Sequence, residues 1–314
     1  MGLSHMFQMI NESRISVGIG ATATASAAFQ AALDYTRQRR QGRLPGEKDA
    51  SLPPVPIIEH ADVKRMLLYQ KSITEGALCL LLHGAKSADL AHVSTGDEKN
   101  RLEHLLNILV PVFKAYPSEK GILSTSQALQ CFGGYGYCED FPVEQHYRDI
   151  RIHPLHEGTT GIQAIDLLGR KVRYQDGIAF RIYCEEVEKT LRESREQQEL
   201  APQLSLLEDA LSRLKKVTTH LLSPDDAENR NDLLDANLYL EMFGTITIAW
   251  QWLVQGPAIL DGLKNGSRRE QNFYQGKLAA LKYFFTYELI GIHAHEKRLM
   301  NGDDLVSRTN SAYF

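Results

Sequence analysis

Cysteine is scarce in this sequence, occurring four times in 314 residues, at 79, 131, 138 and 184, and never as a Cys-x-x-Cys pair. That excludes the closely spaced thiols of a zinc site or a small disulfide frame, and fits buried thiols in a reducing compartment. Long apolar runs are missing too. The longest, LLNILVPVF, falls far short of the ~20 residues a membrane helix needs. Positive charge is not in surplus: 35 Lys and Arg against 39 Asp and Glu leave a net −4, which offers no electrostatic footprint for nucleic acid. The opening MGLSHMFQMINESR meets a charge too early for a secretory apolar core. A cytoplasmic protein with no membrane and no nucleic-acid partner is the expectation.

Alternating strand-type runs are absent as well, and apolar residues recur at spacings of three and four nearly throughout, so the expected class is all-α. A first helix covers about residues 3–39, small-residue rich at VGIGATATASAAF. RLPGEKDASLPPVP breaks it as a surface loop. The helical pattern resumes from Ile57, and again from about Asp97 to Phe132 with breaks expected at Pro111 and Pro117. GGYGYCEDFP reads as a turn-rich loop before a short amphipathic piece ending at Ile150. Residues 178–222 form a charged, Leu-spaced helical region broken near Pro202. Helices over 225–256 and 270–299 follow, joined by the turn GPAILDGLKNGS. The expected architecture is two helical bundles, residues 1–175 and 176–314.

Several stretches carry chemistry-bearing residues. GIGATA (18–23) matches a loose dinucleotide fingerprint, but that motif works only between a strand and a helix. Close helix contact at Gly18 and Gly20 is the better reading. HAHE (293–296) lacks the i, i+4 histidine pair that puts two ligands on one helical face, so no metal site is expected. RQRRQGR (37–43) either closes a helix with cations, as the helix dipole favours, or offers Arg39 to a phosphate. QCFGGYGYC (130–138) is a helix C-cap and turn, or bare backbone against a ligand. Glu157, in YRDIRIHPLHEGTTGIQ, is a carboxylate near a helix start, ordinarily worth ~0.3–1 kcal/mol, or a base aimed at a substrate proton.

In order along the chain, NESR (11–14), YTRQRRQG (35–42), IIEH (57–60), QCFGGYGY (130–137), PVEQHYRD (142–149) and HEGTTGIQ (156–163) resemble the acyl-CoA dehydrogenase family. Over about residues 3–175 the chain resembles that family's C-terminal four-helix-bundle-like domain. HADVKRMLL and GIQ-x-x-DLLGRK are most similar to the 3-methylmercaptopropionyl-CoA dehydrogenase-like branch, whose members carry an extra C-terminal helical domain. The resemblance implies an FAD enzyme that oxidises an acyl-CoA thioester to its trans-2-enoyl form, Glu157 being the base that takes the α-proton. It implies substrate contacts at Asn11, Arg14 and Gly158, and flavin contacts at Thr159 and Gly161. Arg39, Gln41 and His60, with Gln130, Cys131, Phe132, Gly133 and Gly134, match positions that meet the FAD of a neighbouring subunit. A homodimer or homotetramer is therefore implied, with an electron-transferring flavoprotein as acceptor. The sequence departs from the family at His156, where an aromatic is usual, at Gly161, where many relatives have Gln, and in the loop 44–56. The N-terminal helical and β-domains have no counterpart here, so little stand-alone activity is expected. The alternatives are a non-catalytic helical oligomerisation scaffold from the same family and a flavin-independent acyl-CoA-binding protein.

Overall fold

A computed structural model describes residues 2–49, 51–223 and 233–314, with side chains from residue 13 onward except at 269. The described residues are helical without a named strand; a single isolated bridge pairs Arg40 with Pro56. Three long helices, α1 (Gly2–Gln38), α2 (Ala61–Val93) and α3 (Gly96–Phe132), pack side by side. Short helices α4 (Val143–Ile150) and α5 (Thr160–Asp166) follow, the latter running on through a wide turn over Leu167–Lys171. Beyond them lie α6 (Ile178–Glu193), α7 (Ala201–Leu221), α8 (Ala236–Asn265), α9 (Arg268–Tyr283), α10 (Ile292–Leu299) and α11 (Leu305–Arg308).

Helix α8 is buried around most of its circumference, which a helix apolar on all sides requires. It lies between the two halves of the chain. The Trp252 indole donates to the Ser72 carbonyl on α2 at 3.1 Å, and Trp250 donates to the Thr190 hydroxyl on α6 at 2.8 Å. Tyr239 meets Thr218 on α7 at 2.8 Å, so the polar tips of the buried aromatics are satisfied. One hydrophobic core consequently runs from Tyr69 on α2 to Leu299 on α10.

Three expectations need correction. Pro111 and Pro117 do not break α3, which is continuous through both. Each proline removes a backbone donor, but every residue from Ile108 to Ser118 is buried, and that packing outweighs the local cost of ~3 kcal/mol. The stretch GPAILDGLKNGS is not a turn up to residue 265, because α8 carries on through Pro257 for two more turns. The region 270–299 is not one helix. It is interrupted after Tyr283 by a wide turn over Phe284–Glu288 and a tight one over Leu289–Gly291. The expected helix start at 225 lies outside the described residues.

The GIGATA stretch is a helix contact. A Cβ built on Gly18 would sit 1.9 Å from the Phe113 carbonyl oxygen of α3, and one on Gly20 would sit 3.0 Å from the His153 ring. The obstacle at Gly18 is backbone, so α1 and α3 can approach this closely only without a side chain there. Gly18→Ala is expected to destabilise by about 1–3 kcal/mol, the usual range for overpacking. Urea unfolding checks this through a lower midpoint at an unchanged m-value; an unchanged midpoint would mean that the two helices separate freely.

Candidate functional site

Two sites form, one at each end of α1. The first is a turn after α4, where Glu157 has φ +56° and Gly158 φ +86°. A left-handed glutamate is uncommon and is retained where its surroundings over-determine it. Three side chains from three elements do so here. Lys114 of α3 donates its ammonium to the Gly158 carbonyl at 2.5 Å. Gln163 of α5 donates its amide to the carbonyls of Glu157 and Gly158, both at 3.3 Å, and Arg14 of α1 reaches the Glu157 carbonyl at a longer 3.5 Å. A Cβ on Gly158 would come 2.9 Å from the Gln163 amide nitrogen. The Glu157 residue is itself exposed.

The turn is anchored on both sides. Thr159 caps α5, its hydroxyl accepting from the Ile162 amide at 3.4 Å, and the Thr160 hydroxyl donates to Glu119 at 2.5 Å. Arg14 pairs with buried Asp166 at 3.2 Å, and Arg170 and Lys171 approach the same carboxylate at 2.6 and 3.9 Å. Lys171 is enclosed and donates to the Asn107 carbonyl and side-chain oxygen, both at 2.6 Å. Burial pushes the ammonium groups of Lys114 and Lys171 down to about 8. Asn11 lies three residues from Arg14 on α1, with its side chain outside the described ones. Close to the turn in sequence, Ile152, Leu155, Ile162 and Ile165 are exposed, and exposed apolar groups of this kind suit a ligand or another surface.

The second site is a pocket of about 790 Å³ at the far end of α1. It gathers Arg39, Gln41, His60, Gln130, Cys131, Phe132, Gly133 and Gly134 from the end of α1, the loop before α2 and the end of α3. The Arg39 guanidinium lies 5.7 Å from the centre of the Tyr135 ring and donates to the Gln41 side chain at 3.2 Å. His60 holds the Gln41 carbonyl at 2.8 Å, which fixes its Nε2 as the protonated nitrogen. Tyr35 stacks on Phe132 with centroids 4.2 Å apart, forming the pocket floor. Nothing lies within 4 Å of a Cβ position on Gly133 or Gly134, so their backbone faces open space. A guanidinium beside bare backbone suits an anionic ligand.

The residues expected to touch a flavin therefore fall into two groups. Thr159 and Gly161 lie at the Glu157 turn, and the other eight line the remote pocket. Arg14 and Gln38 are 24 residues apart on α1, about 36 Å along the helix axis at about 1.5 Å per residue, so the two groups lie well apart along the bundle. The HAHE stretch is engaged elsewhere: Glu296 pairs with Arg213 at 2.5 Å and Lys216 at 3.2 Å, and His295 faces Glu241 at 3.5 Å. Lys114, Gln163, Asp166, Tyr35 and Tyr135 were not singled out in the sequence. For Lys114 one signal existed, a lone charge inside the apolar stretch LVPVFKAYP.

Among the described residues, no helix is long and apolar enough to cross a membrane. Residues 1–172 match the family model of the acyl-CoA dehydrogenase C-terminal domain, and residues 183–309 match one described as acetyl-CoA dehydrogenase C-terminal like. The chain is 33% identical to 3-methylmercaptopropionyl-CoA dehydrogenase of Ruegeria pomeroyi, over 98% of this chain and 52% of that protein. It is 31% identical to a butyryl-CoA dehydrogenase of Syntrophomonas wolfei, over 96% of this chain and 50% of that one. The chain thus spans about half the length of these relatives. Its fold resembles that of Caenorhabditis elegans ACDH-11 in complex with C11-CoA, with a TM-score of 0.70 at 20% identity, covering 96% of this chain and 49% of that one. It equally resembles an acyl-CoA dehydrogenase complexed with FAD from Bacillus anthracis, with a TM-score of 0.70 at 18% identity over 98% and 50%. The chain belongs to the acyl-CoA dehydrogenase family and carries its all-α C-terminal region.

Proposed function

We propose that this chain is the C-terminal half of an FAD-dependent acyl-CoA dehydrogenase, with Glu157 as the base that removes the thioester α-proton. The observation that carries this reading is the Glu157 turn, an exposed carboxylate on a left-handed backbone tied down by Arg14, Lys114 and Gln163. A base must be held within hydrogen-bond reach of the proton it takes, and a strained turn over-determined from three elements provides that. Removing a proton α to a thioester places negative charge on the thioester oxygen. Backbone N–H groups at the Glu157 turn are the donors that this chain offers to stabilise it, and Arg14 and Lys114 keep the local field positive. Asn11, Arg14 and Gly158 form the substrate side, and the exposed apolar residues near the turn support contact with the acyl-CoA and with the half that its relatives have in addition.

FAD, when bound, would supply the acceptor for the β-hydride. The remote pocket fits its adenosine diphosphate end: Arg39 for phosphate, Gln41 and His60 for polar contacts, and the open backbone of Gly133 and Gly134 above Phe132, with Gln130 and Cys131 in the wall. The two groups of expected flavin contacts lie apart in this chain, which supports a flavin shared between chains. Each flavin would then meet Thr159 and Gly161 beside the base of one chain and the Arg39 pocket of another, so the working unit is a homodimer or homotetramer. Residues 176–314 form the family's extra helical domain, docked through α8, and an electron-transferring flavoprotein would serve as the electron acceptor.

The direct test uses the complete assembly, this chain joined with the half that its relatives have in addition. Acyl-CoA thioesters added anaerobically are expected to bleach the flavin absorption. Intact absorption with short-, medium- and long-chain thioesters and with 3-methylmercaptopropionyl-CoA would exclude the dehydrogenase reading. Arg39→Ala is expected to raise the Kd for FAD by roughly tenfold or more, from the 1.5–3 kcal/mol of a hydrogen bond to a charged group. Equilibrium dialysis measures it, and an unchanged Kd would remove Arg39 from the flavin site.

A further inference from the structure

Lys114 sits midway along α3 with its side chain fully enclosed, in a stretch where all residues from Ile108 to Ser118 are buried. An apolar residue would pack this position without the desolvation penalty of an ammonium. The cation instead has one short contact, the Gly158 carbonyl at 2.5 Å, from a residue 44 positions later in the chain. That carbonyl belongs to the left-handed turn whose first residue is Glu157. A carbonyl held on this side fixes the peptide plane following Gly158, and with Gln163 and Arg14 on the Glu157 carbonyl the turn has little freedom to relax.

We propose that Lys114 is a positioning residue for the base: its ammonium, fixed on the Gly158 carbonyl, holds the Glu157–Gly158 turn in its left-handed conformation and so aims the Glu157 carboxylate at the substrate α-carbon. The inference rests on the dehydrogenase reading and adds to it a residue that keeps its own proton throughout. Lys114 faces Arg14 from α1, Glu119 from its own helix, and Glu157 and His153 from the loop. Burial first, then Arg14, pushes its ammonium down to about 8, while Glu119 and Glu157 oppose the push. It is therefore mostly charged at pH 7 and loses its proton as the pH passes about 8, which weakens the charge-assisted bond to the turn. Burial also lowers His153, followed by the effects of His156 and of Lys114 itself, so that imidazole is neutral when Lys114 titrates.

The test compares Lys114→Met, Lys114→Gln and Glu157→Gln in the complete FAD-loaded assembly, reading kcat and KM for acyl-CoA from pH 6 to 9.5. Lys114→Met is expected to lower kcat roughly tenfold or more, with KM changed by less than about twofold, because a misplaced base slows chemistry more than binding. Lys114→Gln keeps a donor without the charge and is expected to fall between wild type and Lys114→Met. The alkaline limb of the wild-type kcat profile near pH 8 is expected to vanish in both. If Glu157→Gln abolishes turnover while Lys114→Met leaves kcat intact, or lowers only the amount of folded protein, Lys114 is structural filler and the inference is overturned. If Glu157→Gln leaves turnover undiminished, the dehydrogenase reading itself fails. Should Lys114→Met not fold, Lys114→Gln takes its place, and parent kcat in that variant overturns the inference.

Discussion

Glu157→Gln in the complete, FAD-loaded assembly is expected to slow flavin reduction by acyl-CoA by about 10²–10⁴-fold, the range attached to a positioned general base. The amide keeps the size and shape of the carboxylate but cannot take the α-proton. The residue is exposed, and its backbone rather than its carboxylate carries the contacts from Arg14 and Gln163. Stability should therefore stay within about 0.5 kcal/mol of the parent, as for an ordinary surface substitution. Flavin retention should be unaffected, since the substitution leaves both the backbone of residues 159–161 and the pocket around Arg39 as they are. Stopped-flow reduction alongside equilibrium FAD binding separates these effects. Reduction at the parent rate would remove Glu157 from the chemistry.

Asp166→Ala should produce the largest loss of stability, about 3–5 kcal/mol, the range for breaking a buried ion pair from one side. The Asp166 carboxylate is shared by Arg14, Arg170 and Lys171, and the Arg14, Asp166 and Lys171 side chains are 6%, 9% and 1% exposed. Burial already pushes Lys171 down to about 8, and Asp166 is the main influence opposing it, so its removal drives Lys171 towards the neutral amine near neutral pH. Arg14 also loses the partner that orients it beside the Glu157 carbonyl, so turnover should fall in the protein that remains folded. For a chain of this size, a midpoint lower by roughly 5–15 °C is expected in thermal unfolding. A shift of less than a degree or two would mean that water, rather than Asp166, compensates these cations.

Much of the fold was legible because helices declare themselves by apolar spacing. The loop at 44–56, the helix ends near Gln38 and Phe132, and the break before Pro202 all follow from local turn chemistry. Two of the three errors share one cause. Pro111, Pro117 and Pro257 are local breakers, and each lies inside a helix whose buried contacts outweigh a missing donor. The interruption after Tyr283 carried no Gly or Pro mark before Gly291, so periodicity alone could not show it.

The sequence by itself determined the all-α class and a close helix contact at Gly18 and Gly20, along with the short motifs in family order; that the partner at Gly18 is α3 came from the structure. Those depend on residue type and near-neighbour spacing, which the chain displays directly. Only the tertiary structure decided that the expected flavin contacts divide between two sites at opposite ends of α1. It also decided that the Glu157 turn is gripped by Arg14 and Lys114, from 143 and 44 residues away in the chain. The physical reason is that a left-handed carboxylate is held by hydrogen bonds to its backbone carbonyls. Such bonds can come from any donor that packing brings near, and no spacing in the sequence encodes which donor that will be.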